Sequence, residues 1–286
     1  LVGTGFINYG YITGYFTHFG ADYPGPLYNG ASLIRLAGPP RDASLSPFLI
    51  TYPGEEGDMI AYGSWIEDRW YWGPKYHVPG RTEALKVGEE PVDCLSKALA
   101  ERGLAGGRVG LDFKDVSVAL MDEIRKALPK ADLVDAHEAF STLRIVKTPE
   151  EIERLRGAVR GVERGHKAVR EALREGMTEL ELAAIEKRAV IDEVTDRYIV
   201  HVCFGEKGAR FAAPTERKLK KGELVWVDAG CVHRAYIGDM SRMYAYGEPP
   251  KDAVTIHEAM DQVNSLVIES VKPGITTSDL YGIGAE

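Results

Sequence analysis

Asp228 and Asp239 are the residues of this chain with the clearest capacity for chemistry. Asp228 closes the run Val225-Trp226-Val227, which is too apolar for a solvated strand edge. Asp239 sits within Ala235-Tyr236-Ile237-Gly238-Asp239-Met240-Ser241-Arg242. Strand alternation puts it on one face with Ala235, Ile237 and Met243. A tight hairpin centred on His233-Arg234 then brings the two acids directly opposite each other, with Cβ atoms about 4.5–5.5 Å apart. Two carboxylates on a half-buried face repel, so one must stay protonated unless a cation bridges them. A divalent metal resolves that conflict. Carboxylate oxygens favour hard ions such as Mn²⁺ or Mg²⁺, and Zn²⁺ also accepts them. The competing reading of the same spacing is an ion pair from one acid to Arg242 or Arg234, with the other acid in a turn.

Other polar residues carry weaker signals. His166 lies on an apolar helical stripe and reads as a core or interface histidine. His201 and Cys203 are two apart on one strand, share a face, and read either as a nucleophilic Cys–His pair or as a buried structural cysteine beside a histidine. His233 is expected at a hairpin tip, in solvent rather than on a metal. His257 and Glu258 lie together on a helix, where no metal role is expected. Trp65, Trp70, Tyr71 and Trp72 form an aromatic cluster that reads as core, as subunit interface, or as an overhang of an active site.

The elements that must position these residues fall into two parts. Up to about residue 140 the chain alternates short strands and helices. Strands are predicted at Val2–Phe6, Phe48–Tyr52, Arg108–Asp112 and Asp132–Asp135, and helices at Glu90–Arg102 and Asp115–Leu128. That alternation predicts an α/β domain over 1–140. It carries no phosphate-cradling glycine loop, since Gly103 to Gly107 lacks the G-x-G-x-x-G spacing. Over 141–286 the character changes. Thr148-Pro149-Glu150-Glu151 is a helix start, with Pro149 at the first position and Glu151 completing a capping box. Ile152, Leu155, Val159, Val162, His166, Val169 and Leu173 follow as one apolar stripe. Thr178 and Glu181 form a second capping box. Strands are predicted at Tyr198–Phe204, Glu223–Asp228 and Ala235–Tyr246, and Pro249-Pro250 opens another helix.

The second part contains an echo. Gly176-Met177-Thr178 followed by Glu181-Leu182 is matched, 98 residues on, by Gly274-Ile275-Thr276 followed by Asp279-Leu280. Each copy follows a long helix that begins near proline. Two related helix–helix–strand units are expected. The second stops at Glu286 before its strands, and the C-terminal end of that domain is expected to be missing.

Composition bounds the rest. The chain has 286 residues, 44% hydrophobic and 27% charged, which suits a buried core and excludes disordered or collagen-like chains. A net charge of −8 argues against nucleic acid or an anionic membrane as a partner. No apolar run reaches the roughly 18 residues of a membrane helix. Cys94, Cys203 and Cys231 are odd in number and far apart, so no disulfide framework is expected and a reducing, cytoplasmic compartment is. No secretory signal is read at the start.

Val227-Asp228-Ala229-Gly230, the ten residues between the two acids, and Asp239-Met240-Ser241-Arg242 resemble the metal-ligand block of the prolidase, aminopeptidase P and creatinase superfamily, the pita-bread metallopeptidases of family M24. Tyr11-Ile12-Thr13-Gly14-Tyr15 resembles the family's Y-L-T-G-F segment, and Arg144 to Ile152 resembles its interdomain linker and first helix. Phe204-Gly205 and Lys218 to Glu223 fall in the same order. The resemblance implies a creatinase/prolidase-type N-terminal α/β domain and an α+β pita-bread catalytic domain with pseudo-twofold symmetry. It implies two divalent ions (Mn, Co or Zn), held in the family by two Asp, one His and two Glu, and hydrolysis of a C–N bond in a small peptide by a metal-activated water. Only the two Asp map here, onto Asp228 and Asp239; the other three ligands are expected beyond Glu286. A homodimer is also implied. One departure concerns the His that peptidase members carry just upstream of the P-T-x-R stretch. Counting back from Pro214-Thr215-Glu216-Arg217, that position is Phe211, which cannot donate or accept a proton. This leaves room for a creatinase-like enzyme acting on a non-peptide C–N bond, or for a pita-bread protein that binds without catalysis.

Overall fold

The structure is a computed structural model that describes residues 1–3, 5–13, 36–38, 46–57, 59, 64–73, 86–191, 197–206, 212–234 and 236–285. Phe211, Gly14, Tyr15 and Ala235 lie outside the described residues. The chain divides into two compact units, Leu1–Thr148 and Pro149–Glu286.

In the first unit, β1 (Leu36–Gly38) pairs antiparallel with β2 (Phe48–Thr51). β2 runs parallel to β3 (Arg69–Trp72), and β3 parallel to β4 (Lys86–Gly88). Helix α2 (Pro91–Glu101) starts where Glu90 and Asp93 cap each other reciprocally, with Pro91 supplying the preset first turn. Its apolar side, Val92, Cys94, Leu95, Ala98 and Leu99, is buried with Phe48, Ile50 and Trp70. A second sheet pairs β5 (Arg108–Leu111) in parallel with β6 (Asp132–Asp135) through the crossover helix α3 (Val118–Ala127), which Ser117 caps by accepting from the Leu120 amide. Helix α4 (His137–Ile145) follows. The predicted strand at Val2–Phe6 is not formed. Val2 makes only a bridge to Leu111, and helix α1 occupies Gly5–Thr13. The helix is held from outside its own segment, since the Asn8 side-chain amide donates to Asp112 at 3.0 Å and to Asp115 at 2.9 Å. The aromatic cluster splits: Trp70 and Tyr71 are core, while Trp65 is 58% exposed and its Nε1 donates to the Ile12 carbonyl at 2.9 Å.

The second unit packs α5 (Pro149–Ala172) and α6 (Glu179–Ile191) on one face of an antiparallel sheet. Its strands are β7 (Arg197–Phe204), β8 (Leu224–His233) and β9 (Tyr236–Ala245), in that order. The apolar stripe predicted for α5 is rotated. Ile152 and Val159 are more than a third exposed, and the buried line runs through Gly157, Ala158, Gly161, Val162, Gly165, His166 and Val169. Glycines four apart let the sheet and α6 approach the backbone. A Cβ on Gly157 would lie 2.4 Å from His233 Cδ2, and one on Gly165 would lie 2.3 Å from Glu186 Oε1. A periodicity read from large side chains misses such a face. On the strands, Val225, Val227, Ala229 and Cys231 face the helices, and Gly238 lies so close that a Cβ would fall 2.6 Å from the Ala158 carbonyl carbon.

Helices α7 (Lys251–Glu269) and α8 (Thr277–Ala285) complete the unit. The echo is structural. The Thr178 amide donates to Glu181 at 2.8 Å and the Glu181 amide to Thr178 Oγ1 at 3.1 Å. The Thr276 amide donates to Asp279 at 2.9 Å and the Asp279 amide to Thr276 Oγ1 at 3.1 Å. Among the described residues no helix is long and apolar enough to cross a membrane.

Candidate metal centre

The β8–β9 hairpin carries both aspartates, but its register differs from the expected one. His233 pairs with Tyr236, so the turn is Arg234 with residue 235, and Arg234 adopts φ +47°, as the first position of a tight primed turn requires. Asp228 therefore lies opposite Ser241, and Asp239 opposite Gly230. The acids are diagonal neighbours rather than direct partners. A shift of two preserves the face, so both still project from the side of the sheet away from α5 and α6. Asp239 packs over Gly230, where a Cβ would sit in ordinary contact, 3.8 Å from the Asp239 Cγ.

The electrostatics set the two acids against each other. The Asp228 carboxyl is held above the usual carboxylate range, first by burial and then by the negative charge of Asp239. The histidines His201 and His166 offset this in part. Arg242 turns its Nη1 to the Ser241 carbonyl at 2.7 Å, and neither Asp228 nor Asp239 forms an ion pair with Arg242 or Arg234. Two oxygen donors with a mutually unfavourable charge suit a divalent ion chemically. They supply only part of its ligand set: among the described residues no three His, Cys, Asp or Glu side chains gather closely enough to hold a metal ion.

His201 stands directly opposite Asp228, on the same face. Its Nδ1 lies 3.2 Å from the Ala212 carbonyl, which can only accept, so Nδ1 donates in that bond. Cys203 also donates to that carbonyl, at 3.6 Å. The two side chains of the expected Cys–His pair thus meet at one carbonyl. Sequence reading missed what fixes this corner. Glu179, fully buried at the start of α6, accepts from the Phe204 amide at 2.9 Å, the Thr215 amide at 2.9 Å and Thr215 Oγ1 at 2.5 Å. An acid at a helix start is an ordinary capping signal, and nothing local shows that it ties β7 to the Pro214-Thr215 stretch. Arg217 grips Glu223 with two bonds, at 3.1 and 2.6 Å, and holds that carboxyl low.

The remaining candidates take structural places. His166 is buried beneath the sheet, with Nδ1 2.9 Å from the Tyr244 hydroxyl and Nε2 3.0 Å from the Met240 carbonyl. His233 is not simply solvated but presses on Gly157. His257 and Glu258 lie on the exposed helix α7.

An α/β unit followed by helices on an antiparallel sheet, with a strand-borne aspartate pair on the open face, defines the pita-bread class. The chain belongs to metallopeptidase family M24: that family model matches residues 153–285, and the creatinase/prolidase N-terminal domain model matches residues 7–146. The Xaa-Pro dipeptidase of Lactobacillus helveticus is 30% identical over 69% of this chain and 55% of its own length. The creatinase of a Bacillus species is 26% identical over 65% of this chain and 48% of its own. The X-Pro aminopeptidase of Thermotoga maritima shares the fold with a TM-score of 0.78 at 18% identity, over 99% of this chain and 73% of that one. The chain spans about half the length of the curated relatives it matches.

Proposed function

We propose that this protein is a metal-dependent hydrolase of the prolidase type, cleaving the C–N bond of a small Xaa-Pro peptide, with Asp228 and Asp239 as ligands of a centre of two divalent ions. The observation that carries the reading is the pair of like-charged carboxylates on one open sheet face, with Asp228 pushed up by burial and then by Asp239. When bound, divalent ions supply Lewis acidity toward a scissile carbonyl and a water that is nucleophilic near neutral pH. The chain's own residues do the rest. Asp228 and Asp239 give oxygen donors from adjacent strands, so their spacing is set by the hairpin register. Ser241, opposite Asp228, is tied to the Val227 carbonyl by its hydroxyl at 3.4 Å. His201, directly across from Asp228, is oriented by its Nδ1 bond to the Ala212 carbonyl.

The test is metal analysis of the purified protein together with hydrolysis of Xaa-Pro dipeptides in Mn²⁺. Bound metal and cleavage support the reading, and absence of both overturns it. Phe211 favours a second reading, a creatinase-like hydrolase of a non-peptide C–N bond. Phe211→His separates the two, since a gain of dipeptidase activity counts against the second.

A further inference from the structure

The core of the second unit holds an acid that the candidate centre does not use. Glu186 of α6 is 1% exposed, and neither side-chain oxygen has a hydrogen-bond partner. It lies against the bare backbone of Gly165 in α5, where even a methyl group would fall 2.3 Å from Oε1 and 2.8 Å from Val190 Cγ2. An ionised carboxylate in such a place loses its hydration and gains nothing in return.

The surrounding groups offer no counter-charge. From β8, Cys231 donates its thiol to the Ala158 carbonyl at 3.1 Å and is itself pushed up to about 11 by burial and by Glu186. From β9, the Tyr244 hydroxyl bonds His166 and is raised by burial, with Glu186 adding to the shift. From α5, His166 spends both ring nitrogens on Tyr244 and Met240, and Arg164 reaches the Ala189 carbonyl at 3.4 Å. From β7, Tyr198 sits under the Lys187 ammonium, 4.4 Å from it. Burial alone moves Glu186, from the usual 4.5 to about 7.

We propose that Glu186 is a proton-dependent latch: as a neutral acid it lets α6 dock on the glycine face of α5, and losing the proton to solvent places an unpaired charge in the core and loosens α6. The latch reaches beyond its own contact. The same helix carries Glu179, which holds the end of β7 and the Thr215 segment. Between its unfolded and folded pKa values, 4.5 and about 7, the folded chain keeps the proton and the unfolded chain does not. Stability therefore falls as pH rises through that window and does not fall further above it.

The experiment is urea unfolding of the protein and of Glu186→Gln from pH 5 to 8. Glutamine matches the shape of the neutral acid and cannot ionise. The ratio of the variant's folding constant to the wild type's should rise by up to about tenfold per pH unit up to roughly pH 7, then level off. A ratio that stays constant with pH overturns the proposal. Hydrogen exchange on the wild-type chain gives a second readout that needs no variant. Protection of the α6 amides, corrected for intrinsic rate and compared with α3, should drop over the same range, and unchanged relative protection would equally overturn the latch.

Discussion

A carboxylate is informative when its neighbours make its charge costly, and Asp228 meets that condition through burial and Asp239. Removing one acid should relieve the repulsion and, on the proposed function, also remove a metal ligand. Asp239→Asn is therefore expected to weaken Mn²⁺ binding by more than about tenfold in calorimetric titration, since loss of a supporting outer group alone costs that much. Its circular dichroism should be unchanged, because Asp239 is exposed and contributes nothing to the core. The cysteines lie at the opposite pole of reactivity. All three are buried, and burial pushes Cys94 and Cys231 up to about 11. The thiolate is the reactive form, so native protein at pH 8 should titrate far fewer than three thiols rapidly with a chromogenic disulfide, and all three after denaturation.

Among the elements, α5 and the sheet approach each other through glycines on both sides. Gly238→Ala would drive a methyl into the Ala158 backbone, which cannot give way, and should cost about 1–3 kcal/mol in urea unfolding. Glu179→Ala tests the other contact. It would leave the Phe204 and Thr215 amides without their acceptor, for an expected loss of about 2–4 kcal/mol. Because those bonds steady Ala212 and hence His201, the same variant should weaken metal binding more than its exposed neighbour Leu180→Ala does.

For the whole molecule, carboxylates shifted in opposite directions set the pH of greatest stability. Glu223 is held low by Arg217, and Asp112 is held low by Asn8 and His137 against its own burial. A depressed pKa adds stability that is lost as pH falls through the folded value. Glu186 works the other way and removes stability as pH rises toward about 7. Calorimetric melting temperatures should thus peak in the mildly acidic range, around pH 5, and decline on both sides. A melting temperature that climbed steadily to pH 8 would contradict this account.

What the sequence determined by itself is local and periodic. The capping box at Thr178 and its echo at Thr276, the Pro149 and Pro249-Pro250 helix starts, the apolar run Val225 to Val227 and the acid pair on β8 and β9 follow from short-range rules that act within a few residues. The face shared by Asp228 and Asp239 was equally legible, because a two-residue offset leaves strand parity intact. Their exact pairing was not. Turn position depends on whether Arg234 can take a positive φ, and a one-residue change there moves each acid to a new partner. The inward side of α5 was also hidden, since glycine has no side chain to betray burial and only the approach of His233 and Glu186 reveals it. His201 beside Asp228, and Glu179 between β7 and Thr215, join residues 27 and 36 positions apart. Such contacts exist only once the sheet and helices have closed, because no local preference encodes which distant backbone amide a buried carboxylate will meet.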